Sequence, residues 1–142
     1  MLAACIVVLD WGSKKVIVKN FSYVANYGAA FGMLQHQQWL FVSVAVAVSL
    51  ALLLYYIPKY HYPELGLLLG GATGNLIDRL AYGYVIDFIN LKFWPSFNVA
   101  DASNTISILL LIWRLEIKPR MRKVYKERKR LQKGKDGTKS QR

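Results

Sequence analysis

The sequence has a single cysteine, Cys5, and only two histidines, His36 and His61. One cysteine excludes an internal disulfide, and so small a stock of soft ligands argues against a zinc site. Met1-Leu-Ala-Ala-Cys5 has the outline of a lipid-attachment box. A signal peptide, however, needs a charged start and an apolar stretch before its cleavage site, and only Met1 precedes Leu2. Cys5 therefore reads as a small apolar residue inside a helix. Acids are scarce too. Those ahead of the C-terminal tail are Asp10, Glu64, Asp78, Asp87, Asp101 and Glu116.

The chain is rich instead in apolar residues and, at one end, in positive charge. Hydrophobic residues make up 54%, against about 45–50% in an ordinary globular chain. The formal net charge is +11. Lys118 to Arg142 hold twelve Lys/Arg and two Asp/Glu, a net of +10, while residues 1–117 hold seven and six, a net of +1. A basic tail on a nearly neutral apolar body suits a membrane protein better than a soluble nucleic-acid-binding domain. No nucleic-acid partner is expected.

Four apolar segments stand out in residues 1–117, at about 1–18, 39–57, 66–82 and 97–115. A spanning helix needs about 20 residues, so the first is short, and it carries Asp10, Lys14 and Lys15. Asp10 and Lys14 are four apart and share a helix face. They read equally as an ion pair that lowers the cost of insertion or as a polar contact facing the bundle interior. The segment Asn26-Tyr-Gly-Ala-Ala-Phe-Gly32 is either a plain turn or a loop that cradles an extended ligand, with Gly28 and Gly32 allowing close backbone approach. The span 39–57 is the clearest, with Trp39, Tyr55 and Tyr56 at its ends as an interfacial belt. Pro58 to Pro63 forms a turn in which His61 is exposed. In the third span, Gly70, Gly71 and Gly74 give a small-residue surface for close packing. Asn75 and Arg79 point the same way, and Asp78 beside Arg79 reads as a simple ion pair. In the fourth, Asn98 and Asp101 share a face. The tail, 118–142, is expected to be helical at its start and disordered at its end.

Lys and Arg accumulate on the cytoplasmic side, so the tail lies inside. With four spans the N-terminus and the Pro58–Pro63 turn are inside as well, and the stretches around Asn26 and Asp87 face outward. Asp87 and Asp101 then reach a similar depth near the outer boundary, from two different helices. Two carboxylates in close contact cannot both ionise easily, so the pair shares a proton. The ionised member can deprotonate water while the protonated one polarises a peptide carbonyl. That chemistry is aspartic proteolysis, and it needs no metal or other cofactor. Acids inside a bundle also suit a small proton-coupled transporter or channel. A third reading is a membrane scaffold whose basic tail binds anionic lipids or ribosomal RNA.

Five segments carry a resemblance: Asp10-Trp-Gly-Ser-Lys14, Asn26-Tyr-Gly-Ala-Ala-Phe-Gly32, Gly70-Gly-Ala-Thr-Gly-Asn-Leu-Ile-Asp-Arg79, Val85-Ile-Asp-Phe88 and Phe97-Asn-Val-Ala-Asp101. In this order they resemble the lipoprotein signal peptidases (signal peptidase II), membrane aspartic proteases of bacteria. The resemblance implies an all-α membrane protein, a four-helix transmembrane bundle with a small extracytoplasmic sheet and an amphipathic helix. It implies that Asp87 and Asp101 are catalytic. It places Asp10, Lys14, Asn26, Gly71, Asn75, Arg79, Asn98 and Ala100 at motif positions around the substrate site. The implied substrate is a diacylglyceryl-modified prolipoprotein, cut on the amino side of its lipidated cysteine at the outer face of the cytoplasmic membrane. Membrane lipids are the other expected partner, and the chain is expected to be a monomer.

The sequence departs from the family pattern in places. The segment between Lys14 and Asn26 is much shorter than usual, so the outer sheet is expected to be reduced. The first helix is short. Trp11 stands where glutamine is common, and Ser107 where glycine is common. None of these touches the aspartate pair.

Overall fold

The computed structural model describes residues 1–28, 34, 35 and 37–139. Gly32 and His36 lie outside the described residues. The element order is α1 (Leu2–Asn20), β1 (Val24–Asn26), α2 (Gln38–Ala51), α3 (Ile57–Tyr60), α4 (Pro63–Tyr82), β2 (Val85–Asp87), α5 (Val99–Ile112) and α6 (Lys118–Lys139). Short π-helical turns, Leu52–Tyr56 and Trp113–Ile117, link α2 to α3 and α5 to α6. The chain divides into two units, Met1–Ile108 and Leu109–Arg142.

In the first unit the helical segments fall close to the apolar runs. The turn at Pro58 is narrower than expected, because helix continues through Pro58 to Tyr60 and reverses only at His61. Proline lacks an N–H and its ring crowds the preceding turn. The wider π-turn just before it loosens that turn and relieves the conflict. His61 is exposed and takes a left-handed conformation with φ of 51°. Pro63 then starts α4 at a position where a missing N–H costs nothing. Gly83, with φ of 82°, ends α4, donating its N–H to the Arg79 carbonyl at 3.1 Å.

The glycines of α4 let helices approach closely. A Cβ on Gly70 would lie 2.7 Å from the Ile6 Cβ of α1. One on Gly71 would collide with the Asn104 side chain of α5, and would lie 2.5 Å from the Ala100 carbonyl oxygen. One on Gly74 would lie 2.7 Å from an Asp10 carboxylate oxygen. The α4 helix thus sits against both α1 and the start of α5 at positions where only hydrogen fits.

The expected small sheet is present, reduced to two antiparallel strands. Val24, Ala25 and Asn26 pair with Asp87, Ile86 and Val85 in turn. Asp87 therefore sits on a strand and not on a helix: α4 has already ended at Gly83, and the chain turns back to pair with β1. The amphipathic helix that the resemblance implies is not found among the described residues, and residues 29–33 between β1 and α2 lie outside them.

The outward faces of these helices are apolar. Trp39 is 73% exposed, Leu54 77% and Val8 66%, a surface that water would not tolerate over such an extent. The continuous helix Gln38–Tyr60, 23 residues with a mean hydropathy of 2.5, is the one among the described residues that is long and apolar enough to cross a membrane by itself. The other helices are less apolar because they carry the polar groups that meet inside: Asp10 and Lys14 on α1, Asn75 and Asp78 on α4, Asp101 and Ser103 on α5.

The second unit holds the end of α5, the π-turn and α6. Lys118 sits over the Trp113 ring at 5.4 Å, and Arg120 pairs with Glu116 at 2.7 Å. The helix runs to Lys139, further than the expected disordered end. Lys, Arg, Glu and Gln are all good helix formers.

Candidate active site

The site begins with the start of α5. Asn98 is buried and precedes the first helical residue. Its side-chain oxygen accepts the Asp101 N–H at 2.9 Å, and Asp101 Oδ2 accepts the Asn98 N–H at 3.2 Å. This reciprocal pair is a capping box built from Asn and Asp. It satisfies two helix-end donors and fixes the Asp101 side chain. The Asn98 amide nitrogen then reaches out, donating to Asp87 Oδ1 at 2.9 Å and to Asn75 Oδ1 at 3.0 Å. Asn75 in turn donates to Asp101 Oδ1 at 2.7 Å. A closed network of amides thus joins the two carboxylates and holds each by a separate donor. On the far side, Asn26 of β1 donates to Asp87 Oδ2 at 2.9 Å.

Both carboxylates line one cavity of about 650 Å³. Asn26, Asn75 and Arg79 contribute its polar side, and Leu91, Phe93, Trp94, Ile106 and Ile108 are among its apolar residues. Burial pushes the Asp87 carboxyl up to about 7, against an ordinary value of 3.8. The charge of Asp101 raises it further, while hydrogen bonds from Asn26 and Asn98 and the charge of Lys14 act the other way. Asp87 is thereby suited to carry a proton near neutral pH.

Behind the cavity lies a second polar cluster. Lys14, almost fully buried, reaches Asp10 Oδ2 at 2.6 Å and Asp78 Oδ2 at 2.7 Å, with Asn75 Oδ1 at 3.5 Å. The two readings of Asp10 and Lys14 prove compatible, since they are ion-paired and face the interior. Asp10 Oδ1 also accepts the Ala100 N–H at 2.9 Å, placing its charge at the positive end of α5. Asp78 accepts the Ile86 N–H at 3.0 Å, immediately before Asp87.

The expected Asp78–Arg79 pair is corrected. Adjacent residues on a helix point about 100° apart, so Asp78 turns to Lys14 while Arg79 faces the cavity. Arg79 donates to the Gly28 carbonyl at 3.4 Å and stacks its guanidinium over Phe41 at 5.0 Å. Of the residues picked out from the sequence, Asp87, Asp101, Asn26, Asn75 and Arg79 line the cavity, and Asn98 bridges the two acids. Gly71, Ala100, Asp10 and Lys14 support it from behind. Sequence reasoning missed Gln38, whose amide donates to the Arg79 carbonyl at 3.0 Å, and Asn104, which lines the cavity one helical turn after Asp101. Asn104 could have been found from its three-residue spacing, whereas Gln38 lies 41 positions from its partner and leaves no such signal.

Solved structures similar to this chain share its fold. One bacterial membrane enzyme, solved by the in meso method at 2.3 Å, superposes with a TM-score of 0.73 at 29% identity, covering 80% of this chain and 84% of that one. A second, solved by the same method at 1.9 Å, gives a TM-score of 0.71 at 29% identity, covering 81% and 90%. The chain is thus a bacterial integral membrane enzyme of the aspartic protease class. The family described as Signal peptidase (SPase) II matches residues 2–117. The lipoprotein signal peptidase of Moorella thermoacetica is 39% identical over 81% of this chain and 90% of its own length. That of Dichelobacter nodosus is 40% identical over 72% and 77%, and that of Symbiobacterium thermophilum 47% over 68% and 69%. The chain belongs to the signal peptidase II family.

Proposed function

We propose that this protease removes the signal peptide from diacylglyceryl-modified prolipoproteins, cleaving on the amino side of the lipidated cysteine with Asp87 and Asp101 as the catalytic pair. The observation that carries the reading is the shared cavity: both carboxylates line it, and Asn98 and Asn75 join them in one network. In the step we propose, ionised Asp101 takes a proton from water as its oxygen attacks the scissile carbonyl carbon. Protonated Asp87 gives its proton to the carbonyl oxygen. When the tetrahedral intermediate collapses, the C–N bond breaks, Asp101 passes its proton to the leaving amine, and Asp87 recovers one from the intermediate's hydroxyl. Asn26 and Arg79 hold the substrate backbone on the polar side of the cavity. The apolar side, with Phe93, Ile106 and Ile108, takes the acyl chains.

The proposed placement has four spans: α1, the Gln38–Tyr60 helix, α4, and α5 with the turn that follows it. Lys59 and the basic tail lie on the cytoplasmic side. The strands and both aspartates then lie near the outer face.

The test is a cleavage assay with purified, detergent-solubilised enzyme on lipidated and unlipidated precursor peptides. The wild type should cut only the lipidated peptide. Asp87→Asn and Asp101→Asn should each lose at least about a hundredfold in rate while still folding cooperatively. Near-normal turnover by either variant would remove that residue from the catalytic pair. Equal cleavage of both peptides would show that the acyl chains are not read.

A further inference from the structure

The exposed tail helix has a two-faced surface that the proteolytic site does not use. On α6 and the turn before it, Ile117, Met121, Val124 and Tyr125 fall at spacings of four, seven and eight residues, one stripe of a helix. Each is exposed, Met121 and Tyr125 by 63%. Arg122, Lys126 and Lys129 are exposed too and occupy the sides and back of the same helix. Lys118 over Trp113 marks its beginning with the cation and aromatic pairing common at membrane–water boundaries. Residues 118–142 carry a net charge of +10.

We propose that α6 is a lipid-binding element that lies on an anionic membrane surface, with Met121, Val124 and Tyr125 entering the headgroup layer and the flanking Lys and Arg contacting lipid phosphates. Two observations select this occupant. The charge is complementary to acidic lipid headgroups. The apolar stripe is short, stops before Arg128 and has basic residues to either side, the form that interfacial helices take. A nucleic acid would use the charge but would leave Met121, Val124 and Tyr125 in water.

The full chain can be tested in vesicles with the same lipids in both leaflets, so the result does not depend on which way the protein inserts. In a Cys5→Ala background, an environment-sensitive fluorophore is placed at Met121→Cys or, on the opposite face, at Lys126→Cys. Quenching by acrylamide, an uncharged aqueous quencher, is then compared in neutral phosphatidylcholine vesicles and in vesicles with about one-third phosphatidylglycerol. The Met121 label should be protected several-fold in the anionic vesicles alone, and the Lys126 label should stay accessible in both. The protection should weaken at about 1 M salt, where screening acts within roughly 3 Å. Replacing Arg122 and Lys129 together by Gln should reduce the protection of the Met121 label. Equal quenching at both positions, or protection that ignores lipid charge, would overturn the proposal. Protection that appears only on adding RNA would replace it with a nucleic-acid surface.

Discussion

Lys14 and Asp78, sixty-four positions apart, form an ion pair of 2.7 Å in which both side chains are almost wholly buried. With Asp10 on the same ammonium group, one cation serves two carboxylates that hold the α5 start and the strand before Asp87. Removing one partner from a buried pair costs about 3–5 kcal/mol, because the other charge stays behind. Lys14→Met should therefore lower the unfolding temperature sharply and abolish cleavage together with it. Asp78→Asn keeps the Lys14–Asp10 pair and the side-chain shape. It should lose some stability but retain more activity than Asp87→Asn. Thermal unfolding and rate measurements on purified variants check both, and the reverse activity order would mean that the catalytic pair is misassigned.

Asp10 and Lys14 were legible together because a spacing of four fixes a shared helix face. Asn98 and Asp101 were legible for the same reason, although a shared face did not reveal the reciprocal cap. Asp78 was misread because its partner is distant in sequence while Arg79 is next to it; adjacency says little about contact on a helix. The reach of Asn26 to Asp87 depends on the pairing of two three-residue strands, too short to show alternation. Helix through Pro58 depended on a π-turn, which no local pattern announces. Asp87 and Asp101 were legible as a pair from the span topology, which brings both to one depth in an apolar chain, and the family resemblance singled them out.

Glycine positions separate close packing from mere helical composition. Gly71→Ala puts a methyl group into the Asn104 side chain and 2.5 Å from the Ala100 carbonyl oxygen, which belongs to backbone and cannot move aside cheaply. The expected cost is about 1–3 kcal/mol. Activity should fall as well, since a displaced α5 carries Asp101 with it. Gly12→Ala meets nothing within 4 Å and lies inside α1, so it should be neutral or stabilising by up to about 1 kcal/mol. Unfolding temperatures and cleavage rates of the two variants check the contrast. A Gly71→Ala protein as stable and active as Gly12→Ala would show that the contact between α4 and α5 is looser than it stands here.

The tail should be separable from proteolysis. The residues assigned to the two polar clusters all lie between Asp10 and Asp101. Removing Lys123 to Arg142 should leave the cleavage rate of correctly inserted protein nearly unchanged on a detergent-solubilised lipidated peptide. Insertion is verified first, by protease protection in vesicles. Loss of activity in inserted, truncated protein would tie the tail to the catalytic step.

The raised Asp87 carboxyl gives two pH effects with signs that can be worked out. Its ordinary value is 3.8 and its folded value about 7. Between these limits the folded chain holds a proton that the unfolded chain has released, so stability falls as pH rises from about 4 to about 7 and is level above that. Asp87→Asn carries no such proton, so the variant should gain stability relative to wild type across this window and keep the gain at higher pH. The difference between their unfolding temperatures, measured at several pH values, isolates the effect from other titrating groups. Catalysis follows the same proton. If Asp87 donates to the carbonyl oxygen, kcat/KM on the lipidated peptide should decline as pH rises through about 7. An activity that stays flat well into the alkaline range would mean that Asp87 works ionised, and the roles of Asp87 and Asp101 would have to be exchanged.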